Sequence, residues 1–90
     1  MQKIILDAQY LIEKETAHTY LQDKLGLPEY YGKNLDALYD CLSDLVGVEI
    51  YIDTSFVDGL QKENSTYYHK MMRVFQAATR ENTELKLFFS

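Results

Sequence analysis

Three short segments, far apart in the chain, alternate apolar with polar residues, and they constrain the fold more than any other feature. In Lys3 to Asp7, Ile4 and Leu6 share one face while Lys3, Ile5 and Asp7 share the other. In Val48 to Asp53, Val48, Ile50 and Ile52 oppose Glu49, Tyr51 and Asp53. In Glu84 to Phe89, Leu85, Leu87 and Phe89 oppose Glu84, Lys86 and Phe88. A period of two marks a strand buried mainly on one side. The intervening stretches are long enough for helical crossovers, and strands joined that way run parallel. Crossovers are right-handed, so strands in the order 1-2-3 receive all their helices on the same face. The expected fold is a two-layer α/β domain. It has a three-stranded parallel sheet, order 1-2-3, with about four helices on one face and water on the other. A doubly wound sheet needs continuous apolar strands, which this chain lacks.

The helices follow from spacing and caps. The first is expected from about Lys14 to Lys24, with Ala17, Tyr20, Leu21 and Leu25 on its apolar face; Gly26 suits its end and Pro28 forbids continuation. The second is expected from about Asn34 to Leu45. Asn34 is a good N-cap, and Asp36 in the first turn complements the helix dipole. Thr54 or Ser55 suits the start of a short third helix through about Lys62, with Phe56 and Leu60 inward. Ser65 suits the start of a fourth through about Arg80, with a stripe of Tyr68, Met71, Met72, Phe75 and Ala78 or Thr79 facing the core.

Ninety residues suffice for one domain, spanning 1–90, and a 47% apolar composition supplies its core. The single cysteine, Cys41, excludes an intrachain disulfide and argues against a secreted disulfide scaffold. The apolar start is too short for a signal peptide, and no run approaches a membrane span, so the cytoplasm is the expected compartment. A formal charge of −5 disfavours nucleic acid, because phosphate binding needs clustered Lys and Arg; an acidic domain suits a basic partner. His18 and His69 lie on different helices without ligand-like spacing. They are expected at the surface or its boundary, with no metal and no cofactor.

The informative stretch runs from Pro28 to Leu42. Helical projection at about 100° per residue gathers Leu35, Leu38, Leu42 and Leu45 as core, with Cys41 and Val46 flanking. Asp36, Asp40, Ser43 and Asp44 fall on the opposite side, and Tyr39 on the border. Carboxylates one turn apart repel, and no Lys or Arg lies a turn away on that side to relieve them. Tyr30 and Tyr31 precede the helix in a loop with Gly32. Tyrosine supplies contact area at low entropic cost, so aromatics beside an acidic helix face resemble an interface. The plain alternative is a solvated acidic face with both tyrosines in the core.

The run Leu-Pro-Glu-Tyr-Tyr-Gly-Lys-Asn-Leu-Asp-Ala-Leu-Tyr-Asp-Cys-Leu, Leu27 to Leu42, closely resembles the barstar family, intracellular inhibitors of the ribonuclease barnase. Val74-Phe75 and the closing apolar strand are similar too. The resemblance implies the same two-layer fold and an inhibitor rather than an enzyme, acting on a basic, extracellular-type, barnase-like ribonuclease in an antitoxin or immunity role. It implies that Asp40 occupies the nuclease's phosphate site and that Asp36 contacts neighbouring basic residues. Tyr30, Tyr31, Gly32 and Asn34 match the interface loop, and Tyr39 stands where the best-known member has tryptophan. Lys33 stands in place of a glutamate, Ala77 in place of an interface glutamate, and Thr83 in place of a second cysteine. Two negative charges are thus absent from the implied interface, so a nuclease other than barnase is the natural partner. The free chain is expected to be a monomer. Two rivals have clear physics. Asp36 and Asp40 as an acid–base pair lack a pocket to position substrate, and Cys41 projects toward the core. The other reading is a barstar-like module that binds some other basic protein.

Overall fold

A computed structural model describes residues 2–55 and 62–89, with the side chains of 62–65 left aside. The order of elements is β1 (Gln2–Asp7), a 3-10 turn (Ala8–Leu11), α1 (Lys14–Leu25), α2 (Leu35–Ser43), β2 (Val48–Asp53), α3 (Lys62–Glu81) and β3 (Leu85–Phe89). The sheet is parallel in the order β1-β2-β3, as the alternation required. Its register aligns Ile4 with Ile50 and Leu87, and Ile5 with Tyr51 and Phe88.

One side of the sheet makes the core. Ile4, Leu6, Val48, Ile50, Ile52 and Leu85 are buried there beneath Ala17 and Leu21 of α1, Leu38 and Leu42 of α2, and Met71, Phe75 and Ala78 of α3. The reverse side carries Ile5 and Phe88 exposed, with Tyr51 stacked on Phe88 at 4.8 Å between centroids and Lys3 Nζ 5.0 Å from the Tyr51 ring.

The described residues hold three α-helices where about four were expected; residues 56–61 of the expected short helix, Phe56 and Leu60 among them, fall outside them, and Lys62, its expected end, opens α3. Ser65 lies inside α3 rather than ahead of it. α1 ends on Gly26 in the left-handed conformation, φ 65°, with Gly26 N–H and Leu27 N–H both donating to Gln22 O. That pairing closes the last turn and sends the chain away toward Pro28. α2 stops at Ser43, short of the expected Leu45, because Asn82 at the end of α3 reaches across. Its Nδ2 donates to Leu42 O at 3.0 Å and Leu45 O at 2.8 Å, satisfying carbonyls a longer helix would have paired internally. Val46, expected beside the core, is therefore 76% exposed. Phe89, expected inward, is exposed at the strand's end.

This one-sidedness is testable by urea unfolding. Phe75→Ala, at the centre of the core, is expected to cost about 3–5 kcal/mol. Ile5→Ala, on the open face, is expected to stay within roughly 0.5 kcal/mol of the parent. Equal losses would mean that both faces of the sheet are buried in solution.

Candidate functional site

The segment between α1 and α2 is held at several points. Gln22 Nε2 donates to Pro28 O at 2.8 Å, and Tyr31 N–H donates to the same oxygen at 3.0 Å, closing a turn over Pro28 to Tyr31. Asn34 caps α2 as its sequence position implied: its side-chain oxygen accepts from Ala37 N–H at 2.8 Å. Between them Gly32 is confined, since a Cβ there would lie 3.3 Å from Asn34 Nδ2 and 3.4 Å from Ala37 Cβ. Lys33 takes the left-handed conformation, φ 52°, which non-glycine residues adopt only at some cost.

The two tyrosines of this segment part company. Tyr30 is 89% exposed, whereas Tyr31 is 6% exposed and belongs to the core. The expectation that both present contact area is thus corrected for Tyr31, which turns inward because a partner for its hydroxyl waits there. That partner is His18, on α1. His18 is fully buried, against the expectation of a surface or boundary position. Its Nδ1 lies 2.5 Å from Tyr31 Oη and its Nε2 lies 2.6 Å from Tyr67 Oη on α3. Both polar atoms of the ring are satisfied, which is what permits a histidine in the core. The sequence signal was present: His18, Leu21 and Leu25 are spaced i, i+3, i+7 along the buried side of α1.

Burial above all, then the cations of Lys14 and Lys33, pushes His18 below its ordinary value, so the imidazole is neutral in the fold. Burial pushes the Tyr31 phenol well above its usual range, with Cys41 and Tyr67 adding to it. Burial likewise raises Tyr67.

The outward face of α2 carries Asp36, Asp40 and Asp44, all exposed, with Tyr39 half-buried on the border. None of the three carboxylates makes an ion pair or side-chain hydrogen bond among the described residues. Ser43 is occupied locally, its hydroxyl donating to Tyr39 O at 2.8 Å. Beside Asp40 and Asp44 lies a cleft of about 380 Å³ whose walls include Pro28, Tyr30, Cys41 and Leu45. Cys41 is half-buried, and its thiol is pushed up by burial first and then by Asp40 and Asp44. A thiol so placed stays protonated and is a poor nucleophile. Lys33 shares a second cleft with Lys14 and Glu15, on the α1 side of the segment. The expected residues Tyr30, Gly32, Asn34, Asp36, Tyr39 and Asp40 thus lie on one continuous stretch, with Tyr31 beneath it. Ala77, on α3, is half-buried. Among the described residues no group of three or more His, Cys, Asp or Glu is arranged to hold a metal ion. No described helix is long and apolar enough to cross a membrane.

Among the described residues, three parallel strands beneath three helices, with carboxylates along α2 and an exposed tyrosine in the loop before it, define a small two-layer α/β domain of barstar-like fold. The chain belongs to the barstar family: the family model described as Barstar (barnase inhibitor) matches residues 1–90. It is also similar to a Bacillus subtilis (strain 168) protein named "Putative ribonuclease inhibitor YrdF", 36% identical over 81 residues, which covers 90% of this chain and 89% of that one.

The neutral imidazole ties stability to pH with a definite sign. The unfolded chain gains a proton near the ordinary histidine value of 6.5, whereas the folded chain gains it only at lower pH. The contribution of His18 is therefore complete above 6.5 and is lost as pH falls through the lower folded value. Urea midpoints should fall as pH is lowered from about 7 toward 5. His18→Gln, which keeps His69 but not this titration, should show a shallower fall. A parallel fall in both proteins would mean that His18 is not held neutral.

Proposed function

We propose that this chain inhibits a basic ribonuclease of the barnase type by seating the Asp40 carboxylate where the nuclease binds a substrate phosphate. Membership of the barstar family and the name of the Bacillus subtilis relative support an inhibitor, a binding role rather than an enzymatic one. The observation that carries the phosphate-mimic reading is the outward row Asp36, Asp40 and Asp44, three exposed carboxylates without a cation among the described residues. A nuclease site gathers Arg, Lys and His to hold a phosphate, and a carboxylate fixed on a helix meets the same donors through charge-assisted, often bidentate hydrogen bonds.

Each neighbour has a task in this reading. Asp36 engages basic residues flanking the phosphate site. Tyr30 and Tyr39 supply aromatic contact area, and Gly32 leaves room for close approach of the partner's backbone. Asn34 fixes the start of α2 and hence the height at which Asp36 and Asp40 stand. Tyr31 acts from beneath as a pillar. The acidic charge steers association with a cationic partner, a rate effect that salt weakens. The protein acts in the cytoplasm as a monomer that pairs one-to-one with the enzyme, shielding the cell's RNA.

Lys33 favours a nuclease other than barnase itself. Its left-handed backbone places a cation beside the loop where the family's best-known member carries an acid. A nuclease with less positive charge at the matching rim suits it, since like charges juxtaposed at an interface are costly.

The test is inhibition of RNA cleavage by a panel of basic barnase-like ribonucleases. Asp40→Ala should weaken inhibition of the susceptible enzyme by about 2–5 kcal/mol or more, the loss typical of truncating one partner of a buried, hydrogen-bonded charge pair. Association should slow as salt rises. Unchanged inhibition by Asp40→Ala would remove Asp40 from the phosphate site.

A further inference from the structure

The fully buried imidazole of His18 is clasped by two hydroxyls from elements far apart in sequence, Tyr31 of the loop before α2 and Tyr67 of α3. We infer that His18 is a positioning residue for partner binding: through its Nδ1 it anchors Tyr31 and so holds the Tyr30–Asn34 loop in its binding shape before any partner arrives. This rests on the inhibitor reading above for what the loop contacts, but not for how the loop is held.

The chain of contacts is continuous. Tyr67 Oη to His18 Nε2 is 2.6 Å, and His18 Nδ1 to Tyr31 Oη is 2.5 Å. Tyr31 N–H then donates to Pro28 O at 3.0 Å, two residues before the exposed ring of Tyr30. In either neutral tautomer one ring nitrogen donates and the other accepts, so one tyrosine hydroxyl donates a hydrogen bond to the ring and the other accepts one from it. The ring packs edge-on to Tyr67 and tilted against Tyr31, with centroids 5.8 Å and 5.7 Å away, which leaves it one orientation.

A loop needs such an anchor. Gly32 adds backbone freedom, and Lys33 sits in a conformation that a free chain populates little. Ordering such a segment only on binding subtracts from affinity, and anchoring it beforehand removes that cost. Mutational effects at an interface fall chiefly on the dissociation rate.

Two amides separate this role from plain core packing. His18→Asn places its amide near the position of Nδ1 and keeps a bond to Tyr31; His18→Gln reaches toward Nε2 and keeps the bond to Tyr67 instead. In the free protein, hydrogen exchange at Tyr31 N–H and Ala37 N–H should quicken in His18→Gln but not in His18→Asn, while Ile50 N–H is unchanged in both. Against a ribonuclease that the parent chain inhibits, His18→Gln should dissociate about 2- to 12-fold faster, the size of one neutral hydrogen bond, with association unchanged. His18→Asn should stay near the parent. Tyr31→Phe, which keeps the packed ring and loses only the hydroxyl, is the companion variant should either histidine variant fail to fold, and should behave like His18→Gln. Loop exchange and dissociation at parental values in Tyr31→Phe would overturn the inference. So would equal changes in the two histidine variants that track their loss of melting temperature. If no ribonuclease is inhibited by the parent, the exchange measurements still decide the anchoring role, and only the inhibitor reading fails.

Discussion

Six strand residues, Ile4, Leu6, Val48, Ile50, Ile52 and Leu85, turn one face of the sheet into a large apolar platform, and each helix must bring its own apolar side to it. For α2 this fixes rotational phase. With Leu38 and Leu42 pinned over the sheet, a turn of about 100° per residue leaves Asp36, Asp40 and Asp44 no orientation but outward. The acidic row is thus set by hydrophobic burial on the other side of the same helix. Burying a Leu side chain contributes about 1.5–3 kcal/mol, whereas repulsion between carboxylates one turn apart costs a few tenths. The core wins, and the repulsion remains as surface charge, which in the proposed role a cationic partner would relieve.

For the proposed binding role, fixing the phase of α2 is not enough, because the surface also needs its loop and its helix ends in place. The chain recruits distant residues for this. Gln22 holds Pro28 from α1, Asn34 caps the start of α2, and Asn82 takes the carbonyls at its end. His18 links the loop to α1 and α3 through Tyr31 and Tyr67. Among the described residues no buried side-chain N or O is left without a partner, so these polar ties add constraint without leaving an unsatisfied group.

Much of this was legible in the sequence, and what was not has a common cause. The strands, their parallel order, the Gly26 end of α1, the Asn34 cap and the Tyr68-Met71-Met72-Phe75-Ala78 stripe all follow from local periodicity and capping chemistry. The misplacements are non-local. α2 stops at Ser43 because Asn82, about 40 residues on, competes for its carbonyls, and that early stop exposes Val46. Tyr31 turns inward because His18 and Tyr67 await it, although nothing within the loop distinguishes it from Tyr30. His18 could have been placed from its spacing with Leu21 and Leu25, but a lone histidine is read as polar until its two partners are known. The acidic face was legible, because amphipathic phase alone decides it, whereas which of the two tyrosines stays exposed was not.

In the proposed role, the Asp40 carboxylate takes the place of a substrate phosphate. Competition tests it most directly: a mononucleotide that occupies the phosphate site of the inhibited ribonuclease is titrated against this chain, and binding is followed by calorimetry. Mutual exclusion is predicted, with the nucleotide weakening the chain's apparent affinity in proportion to its own occupancy and Asp40→Ala losing most of that sensitivity. A stable ternary complex of nuclease, nucleotide and chain would contradict it.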